Sequence, residues 1–288
     1  MRHTCLNHSV FAIAVLWLCV MLSPVRAESG FVVERVSETP SPGAIPTVVA
    51  SETPTTDTSF RMEIVRPSPV SHGKRILIYH THTWEAYTKP EGESYETTER
   101  WRTKDNDHNV VAVGRALSAA LASLGFEVTH DETAFEPPSL DTSYQRSLSM
   151  LERRRGNGEA YDLYIDLHRD AFASASTIQR TVSIGGERVA RFMVLVGRGV
   201  GYDEKPDYEA NQTLAEKITN SLNAQCEHLG RDVKVKTGRF NQHIAPCCVL
   251  IECGCNFNTL EEVLCGVPYL ARAIEEALAD TPPAASVE

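Results

Sequence analysis

RILIYHTHTWEAY, residues 75–87, sets the reading of the chain. Arg75–Tyr79 is a short apolar run that opens into a polar loop, the pattern of a buried strand. The loop carries His80, His82, Trp84 and Glu85. Two later segments are built the same way. Tyr161–Leu167 (YDLYIDL) alternates like a strand and runs into His168-Arg169-Asp170, and Cys248–Cys253 (CVLIEC) is apolar apart from Glu252.

Helical patterns separate these strands. Asn106–Leu124 places Val110, Val113, Leu117, Ala120, Leu121 and Leu124 on one face, with Gly125 as its stop. Phe126–Thr129 is the next strand. Tyr144–Arg155 is a helix with three arginines in its last turn, complementing the dipole before Gly156. Thr181–Ile184 and Val189–Val196 flank Gly185-Gly186 and predict a hairpin. Glu209–Leu229 is amphipathic through Leu214, Ile218 and Leu222, and Thr259–Leu278 is the closing helix. Such alternation predicts an α/β fold, a mostly parallel central sheet with helices on both faces. Ligands in that architecture bind where strand ends open into loops.

The ends of the chain read differently. Residues 1–27 have a basic start at Arg2, a 13-residue apolar run from Val10 to Leu22, and Ser23-Pro24 before Val25-Arg26-Ala27. Thirteen helical residues span about 20 Å, short of a bilayer core of roughly 30 Å, so the segment reads as a cleaved secretory signal. An uncleaved anchor is the alternative, and would be the only link to a membrane. Either reading puts the remainder outside the cytoplasm, in the periplasm or cell envelope. Residues 28–73 are rich in Pro, Ser and Thr and poor in apolar residues, the composition of a flexible tether. The folded domain is expected over 74–280, with a disordered tail at 281–288.

The 288 residues carry 28 Lys+Arg against 38 Asp+Glu, a net charge of −10, which argues against a nucleic-acid partner. Of eight cysteines, Cys5 and Cys19 would leave with the signal; the other six lie between Cys226 and Cys265. An even count in an exported chain permits disulfides, and Cys247-Cys248 with Cys253-x-Cys255 admits a thiolate metal site. Cysteine in a buried strand such as VLIEC also serves as a small hydrophobe.

Two imidazoles, a carboxylate and an open position are what a hydrolytic zinc site needs. The metal lowers the pKa of water to ~7 and polarises a carbonyl, and a separate carboxylate acts as general base. Glu252, set between Ile251 and Cys253, is costly to bury unless paired or functional.

Over residues 74–278 the chain resembles the stage II sporulation protein P family of cell-wall amidases. The segments that carry the likeness are ILIYHTHTWEAY (76–87), WRTKDNDHNVVAVGRAL (101–117), SYQRSLSMLE (143–152), YIDLHRDA (164–171), NQHIAP (241–246) and VLIECGCNFNTLEE (249–262). The resemblance implies a zinc amidase (phosphorylase/hydrolase-like) architecture. It implies cleavage by N-acetylmuramoyl-L-alanine amidase chemistry on peptidoglycan, with endopeptidase action on the cross-link as an added activity. Carried over by motif, the zinc ligands are His82, Asp105 and His168, and Glu252 is the catalytic carboxylate. His80 is the rival to His82, and Glu85 the rival to Asp105, which could instead serve as a helix cap. Arg169 and Asp170 are candidates to orient the ligands, and Asn241, Gln242, His243, Asn256 and Asn258 either bind substrate or organise loops. The family also implies a partner, a lytic transglycosylase of the stage II sporulation protein D type. Trp84, Cys253 and Cys255 depart from the family pattern. The competing readings are a non-catalytic peptidoglycan-binding module and another wall zinc hydrolase, a carboxypeptidase or deacetylase.

Overall fold

A computed structural model describes residues 73–175, 178–199 and 207–279. The signal (1–27), nearly all of the tether (28–73) and the tail (281–288) lie outside the described residues. Among the described residues, no helix is long and apolar enough to cross a membrane.

The strands are β1 (Arg75–Tyr79), β2 (Glu127–His130), β3 (Leu163–Asp170), β4 (Thr181–Ile184), β5 (Glu187–Ala190), β6 (Phe192–Gly197), β7 (Gly230–Lys236) and β8 (Cys248–Cys255). The helices are α1 (Val110–Ser123), α2 (Ser143–Gly156), α3 (Tyr208–Gln225), α4 (Leu260–Leu264) and α5 (Val267–Leu278). Six strands form one sheet in the order β2-β1-β3-β8-β6-β7. The β2-β1, β1-β3, β3-β8 and β6-β7 pairs are parallel, and β6 runs antiparallel to β8. The expected mostly parallel α/β sheet is therefore the observed one.

Side chains alternate across a strand, and here the alternation divides the core. Ile76, Ile78, Leu163, Ile165, Leu167, Val249 and Ile251 face one side, packed with residues of α1, α3 and α5. Leu77, Tyr79, Tyr164 and Cys248 face the other, where Met150 and Leu151 of α2 cover them. By the same period Asp166, His168 and Glu252 fall on the α2 side. One face thus carries α1, α3, α4 and α5, and the polar strand ends lie on the face that carries α2.

Three segments depart from the sequence reading. Val189–Val196 is not one hairpin arm: β4 and β5 pair across Gly185-Gly186, and the chain then turns at Arg191 so that β6 enters the main sheet. The helix read as 209–229 stops at Gln225, and 230–236 forms β7, the outer strand. The closing helix breaks at Cys265-Gly266 into α4 and α5. A Cβ on Gly266 would come within 2.6 Å of the Phe192 ring, so the glycine permits close approach to β6. Thr259 and Glu262 cap α4 reciprocally.

Candidate active site

The site gathers where β1, β3 and β8 end. His168 stands opposite Glu252 in the register of β3 and β8. The His82 ring lies edge-on to the His168 ring, centroids 5.2 Å apart. Glu85 completes the group: its Oε2 is 3.3 Å from His168 Nδ1, and it accepts from the Arg169 amide at 3.1 Å. The Arg169 guanidinium also lies beside Glu85 and donates to the carbonyls of Ala86 and Trp101. Arg169 therefore fixes the Glu85 carboxylate through its amide and its guanidinium. Asp170 instead pairs with Arg231.

Hydrogen-bond logic fixes what each imidazole offers. Ser143 Oγ donates its one proton to Leu140 O at 2.7 Å, so at 3.2 Å it accepts from His82 Nδ1–H. That leaves a lone pair on His82 Nε2. Burial, and then the charge of His168, lower the His82 pKa to about 4, so the ring is neutral at physiological pH. His168 Nε2 stands 2.8 Å from Asp166 Oδ1 in an ion-pair contact off the line of a good hydrogen bond. Thr81 donates to Asp166 through both its amide and its hydroxyl. Burial opposes charge on His168, but Asp166 and then Glu85 outweigh it and raise its pKa well above the ordinary value.

The two glutamates are driven apart. Burial would raise the Glu85 carboxyl, yet His168 and Arg169 hold it down at about 2. Glu252 is pushed up to about 8, mainly by burial, with Glu85 and Asp170 adding repulsion against the pull of His168. Its Oε2 is buried with no hydrogen-bond partner. Buried carboxylate oxygens without a hydrogen-bond partner are uncommon in folded proteins.

The remaining expected residues sort cleanly. His80 is fully buried; its Nδ1–H donates to Leu167 O at 2.9 Å, and its Nε2 accepts from His130 at 2.8 Å. It is a satisfied core histidine. The Asp105 side chain is 41% exposed and its carboxylate binds His108 Nδ1 at 2.9 Å and the Asp107 amide. The α1 cap is Asn109, whose side chain accepts from Val111 N. Asn241 binds Tyr144 O and Ser147, Gln242 binds Leu195 O and Gly197 N, Asn256 binds Phe172, and Asn258 binds Cys255 and Glu262; these residues organise loops. The Trp84 ring lies under Lys104 Nζ, 4.8 Å from its centroid. Cys226, Cys247, Cys253 and Cys255 are free thiols, with Cys253 in the core.

Two neighbours of the site were not singled out in the sequence. Asp166 precedes His168 by two residues, so strand alternation alone puts it on the same face. Tyr144, at the start of α2, sets its ring edge-on to His82 at 5.4 Å and parallel to His168 at 6.5 Å; no local pattern distinguishes it from any other helix residue.

Among the described residues, no three His, Cys, Asp or Glu side chains are already drawn together tightly enough to hold a metal ion. The donor chemistry nonetheless fits one. His82 Nε2 offers a lone pair, Glu85 is an anion, and Asp166 stands ready behind His168 in the manner of a carboxylate that orients a metal-bound imidazole. His168 Nδ1 and Glu85 Oε2 already stand side by side, 3.3 Å apart.

The comparisons with known proteins follow this geometry. Solved structures similar to this chain include the CwlD amidase of Clostridioides difficile in complex with the GerS lipoprotein, at 15% identity over 72% of this chain and 96% of that one, TM-score 0.43. AmiC2, an N-acetylmuramoyl-L-alanine amidase of Nostoc punctiforme, matches at 12% identity over 73% and 97%, TM-score 0.42. The catalytic domain of CwlV, an amidase from Bacillus (Paenibacillus) polymyxa var. colistinus, matches at 13% over 72% and 97%, TM-score 0.43. Comparison with the curated proteins found no match. The family model for stage II sporulation protein P matches residues 42–275, and the chain belongs to that family.

Proposed function

We propose that the protein is a zinc-dependent peptidoglycan hydrolase that cleaves the amide between N-acetylmuramic acid and L-alanine of the stem peptide. The observation that carries this reading is Glu252, a buried carboxylate with an unpartnered oxygen, facing His168 beside His82 and Glu85. His82, Glu85 and His168 would hold the zinc. Glu85 takes the place first expected of Asp105, because its carboxylate stands on His168 whereas that of Asp105 is engaged by His108. When bound, zinc would polarise the scissile carbonyl and lower the pKa of water to ~7.

The chain's own groups do the rest. Glu252 takes a proton from the attacking water as its oxygen bonds to the carbonyl carbon. It returns the proton to the amide nitrogen as the C–N bond breaks, leaving a lactyl carboxylate and a free L-alanine amine. Burial holds the Glu252 pKa near the range a general base needs. Asp166 fixes the His168 ring, and Tyr144 walls the imidazoles from water. The substrate implies an extracytoplasmic place of work, consistent with an exported chain. Endopeptidase action on the cross-link, and pairing with a stage II sporulation protein D type transglycosylase that cuts the glycan, extend the same reading.

The test is digestion of purified peptidoglycan with added zinc and with chelator, with mass analysis of the products and metal content of each variant. Intact stem peptides with a free L-alanine amine are expected, lost under chelation. Glu252→Gln should abolish turnover and keep zinc, Glu85→Gln should lose zinc, and Asp105→Asn should keep both. Zinc lost from Asp105→Asn and kept by Glu85→Gln would return the ligand to Asp105. Cleaved cross-links alone would make the protein an endopeptidase. Retention on the wall without product would make it a binding module.

A further inference from the structure

We propose that the cleft beyond the ends of β6 and β7 is a carboxylate-binding subsite that takes an acidic group of the peptide on the leaving side of the scissile amide. The proposal rests on the reading of the substrate as a wall peptide. The cleft encloses 490 Å³ and is lined by Arg198, Val235, Lys236, Thr237, Gly238 and Phe240. In a chain of net charge −10, two exposed cations meet here. Among the described residues neither has a carboxylate partner, although Arg75, Arg102, Arg115, Arg154, Arg188 and Arg231 each have one. The two positions are tied together by the Arg198 amide donating to Lys236 O at 2.8 Å.

The cleft is connected to the catalytic groups. Its floor residue Phe240 packs edge-on against Tyr144, ring centroids 5.8 Å apart, and Tyr144 packs on His82 and His168. Lys236 is close enough for its charge to act on Glu252. A few residues of extended peptide, at ~3.3 Å each, would reach from one place to the other.

The cleft is also built. Phe240 and Asn241 take φ of 50° and 55°, left-handed values that few non-glycine residues adopt. Asn241 holds that turn to α2 through Tyr144 O and Ser147 Oγ, both at 2.9 Å. Gln242 ties it to β6 through Gly197 N and Leu195 O. A Cβ on Gly197 would lie 2.1 Å from Gly238 O, so strand and turn are in direct backbone contact. The stem peptide supplies the matching chemistry: its second residue, a γ-linked D-glutamate, carries a free α-carboxylate unless the wall amidates it.

The experiment titrates the full chain against fluorescent L-Ala-γ-D-Glu-L-Lys and its isoglutamine counterpart, read by anisotropy and therefore independent of turnover. The acid should bind about 10-fold more tightly than the amide, the scale of a charge-assisted contact. Arg198→Gln and Lys236→Gln should each weaken the acid roughly 3-fold and leave the amide unchanged, and the double variant should erase the preference. Lys236→Arg should retain it, which separates lost charge from lost packing. Equal binding of acid and amide, an unchanged preference in the double variant, or no binding of either peptide overturns the subsite. Preference without wall turnover would keep the subsite and sink the hydrolase reading; turnover without preference would do the reverse.

Discussion

Replacing Gly114 by alanine sets helix propensity against packing, and the two demand opposite signs. Gly114 is buried in the middle of α1. In an open helix, alanine is favoured over glycine by ~1 kcal/mol. Here the added Cβ would lie 2.5 Å from His130 Nε2 and 2.6 Å from His80 Nε2, roughly 1 Å inside ordinary contact. Neither ring can retreat freely. They hold each other at 2.8 Å, and His80 is fixed on its far side to Leu167 O at 2.9 Å. Overpacking costs ~1–3 kcal/mol, and parting one buried hydrogen bond adds ~1–3 kcal/mol. After subtracting the propensity gain, Gly114→Ala should destabilise by about 3 kcal/mol, the middle of a span of about 1–5 kcal/mol. At ~2–4 °C per kcal/mol for a domain of this size, Tm should fall by roughly 6–12 °C. Urea unfolding followed by circular dichroism would show a lower midpoint at unchanged slope. Adding His130→Ala should make room and recover part of the loss. A Gly114→Ala protein that melts higher than wild type would refute the packing argument and leave propensity as the controlling effect.

Two other consequences are open to measurement. The Asp131 carboxylate accepts from Arg154 at 2.8 Å and from Thr133 N at 3.0 Å; these partners outweigh burial and hold its pKa below the ordinary value. A depressed folded pKa stabilises above the unfolded value of ~3.9 and ceases to as pH falls through the folded value. Asp131→Asn should therefore cost about 1–2 kcal/mol at pH 7, and its unfolding curve should converge on wild type below about pH 4; a gap that persists in acid would refute the assignment. Asp166→Asn leaves the size of the side chain unchanged but removes the charge behind His168, so affinity for the proposed zinc should drop ~10–100-fold in a competition with a chromogenic chelator, while unaltered affinity would deny Asp166 its positioning role.

What was legible in the sequence depended on how local its cause was. β1, β3 and β8 are buried on both faces, and their apolar runs marked them plainly. β7 was not recognised because GRDVKVK lies at the sheet's edge, where only Gly230 is buried, and alternation with lysine resembles a solvated helix end. The break at Gly266 was invisible because its cause is the Phe192 ring, over seventy residues earlier. The candidate site was readable to the extent that strand ends delivered it: His82, His168 and Glu252 all sit at the mouth of the sheet. The acidic member was the difficult choice. The family motif pointed to Asp105, whereas the bridge pairing of Ala86 with Asn109, and Val110 N donating to Glu85 O, bring the 85–86 segment to α1 and Glu85 to His168. That pairing is non-local, so a motif carried over from the family does not contain it.

The outer strand β7 has a bearing on behaviour at high concentration. A free sheet edge is adhesive toward any other extended chain, and its backbone groups accept a new strand at little cost. Along β7 the charged solvent-facing positions are Asp232, Lys234 and Lys236, with Val235 exposed between the two lysines, and docking a second strand would strip water from two ammonium groups and a carboxylate. The strand that brings Lys236 to the cleft thereby carries charges that oppose edge-to-edge pairing with a second copy.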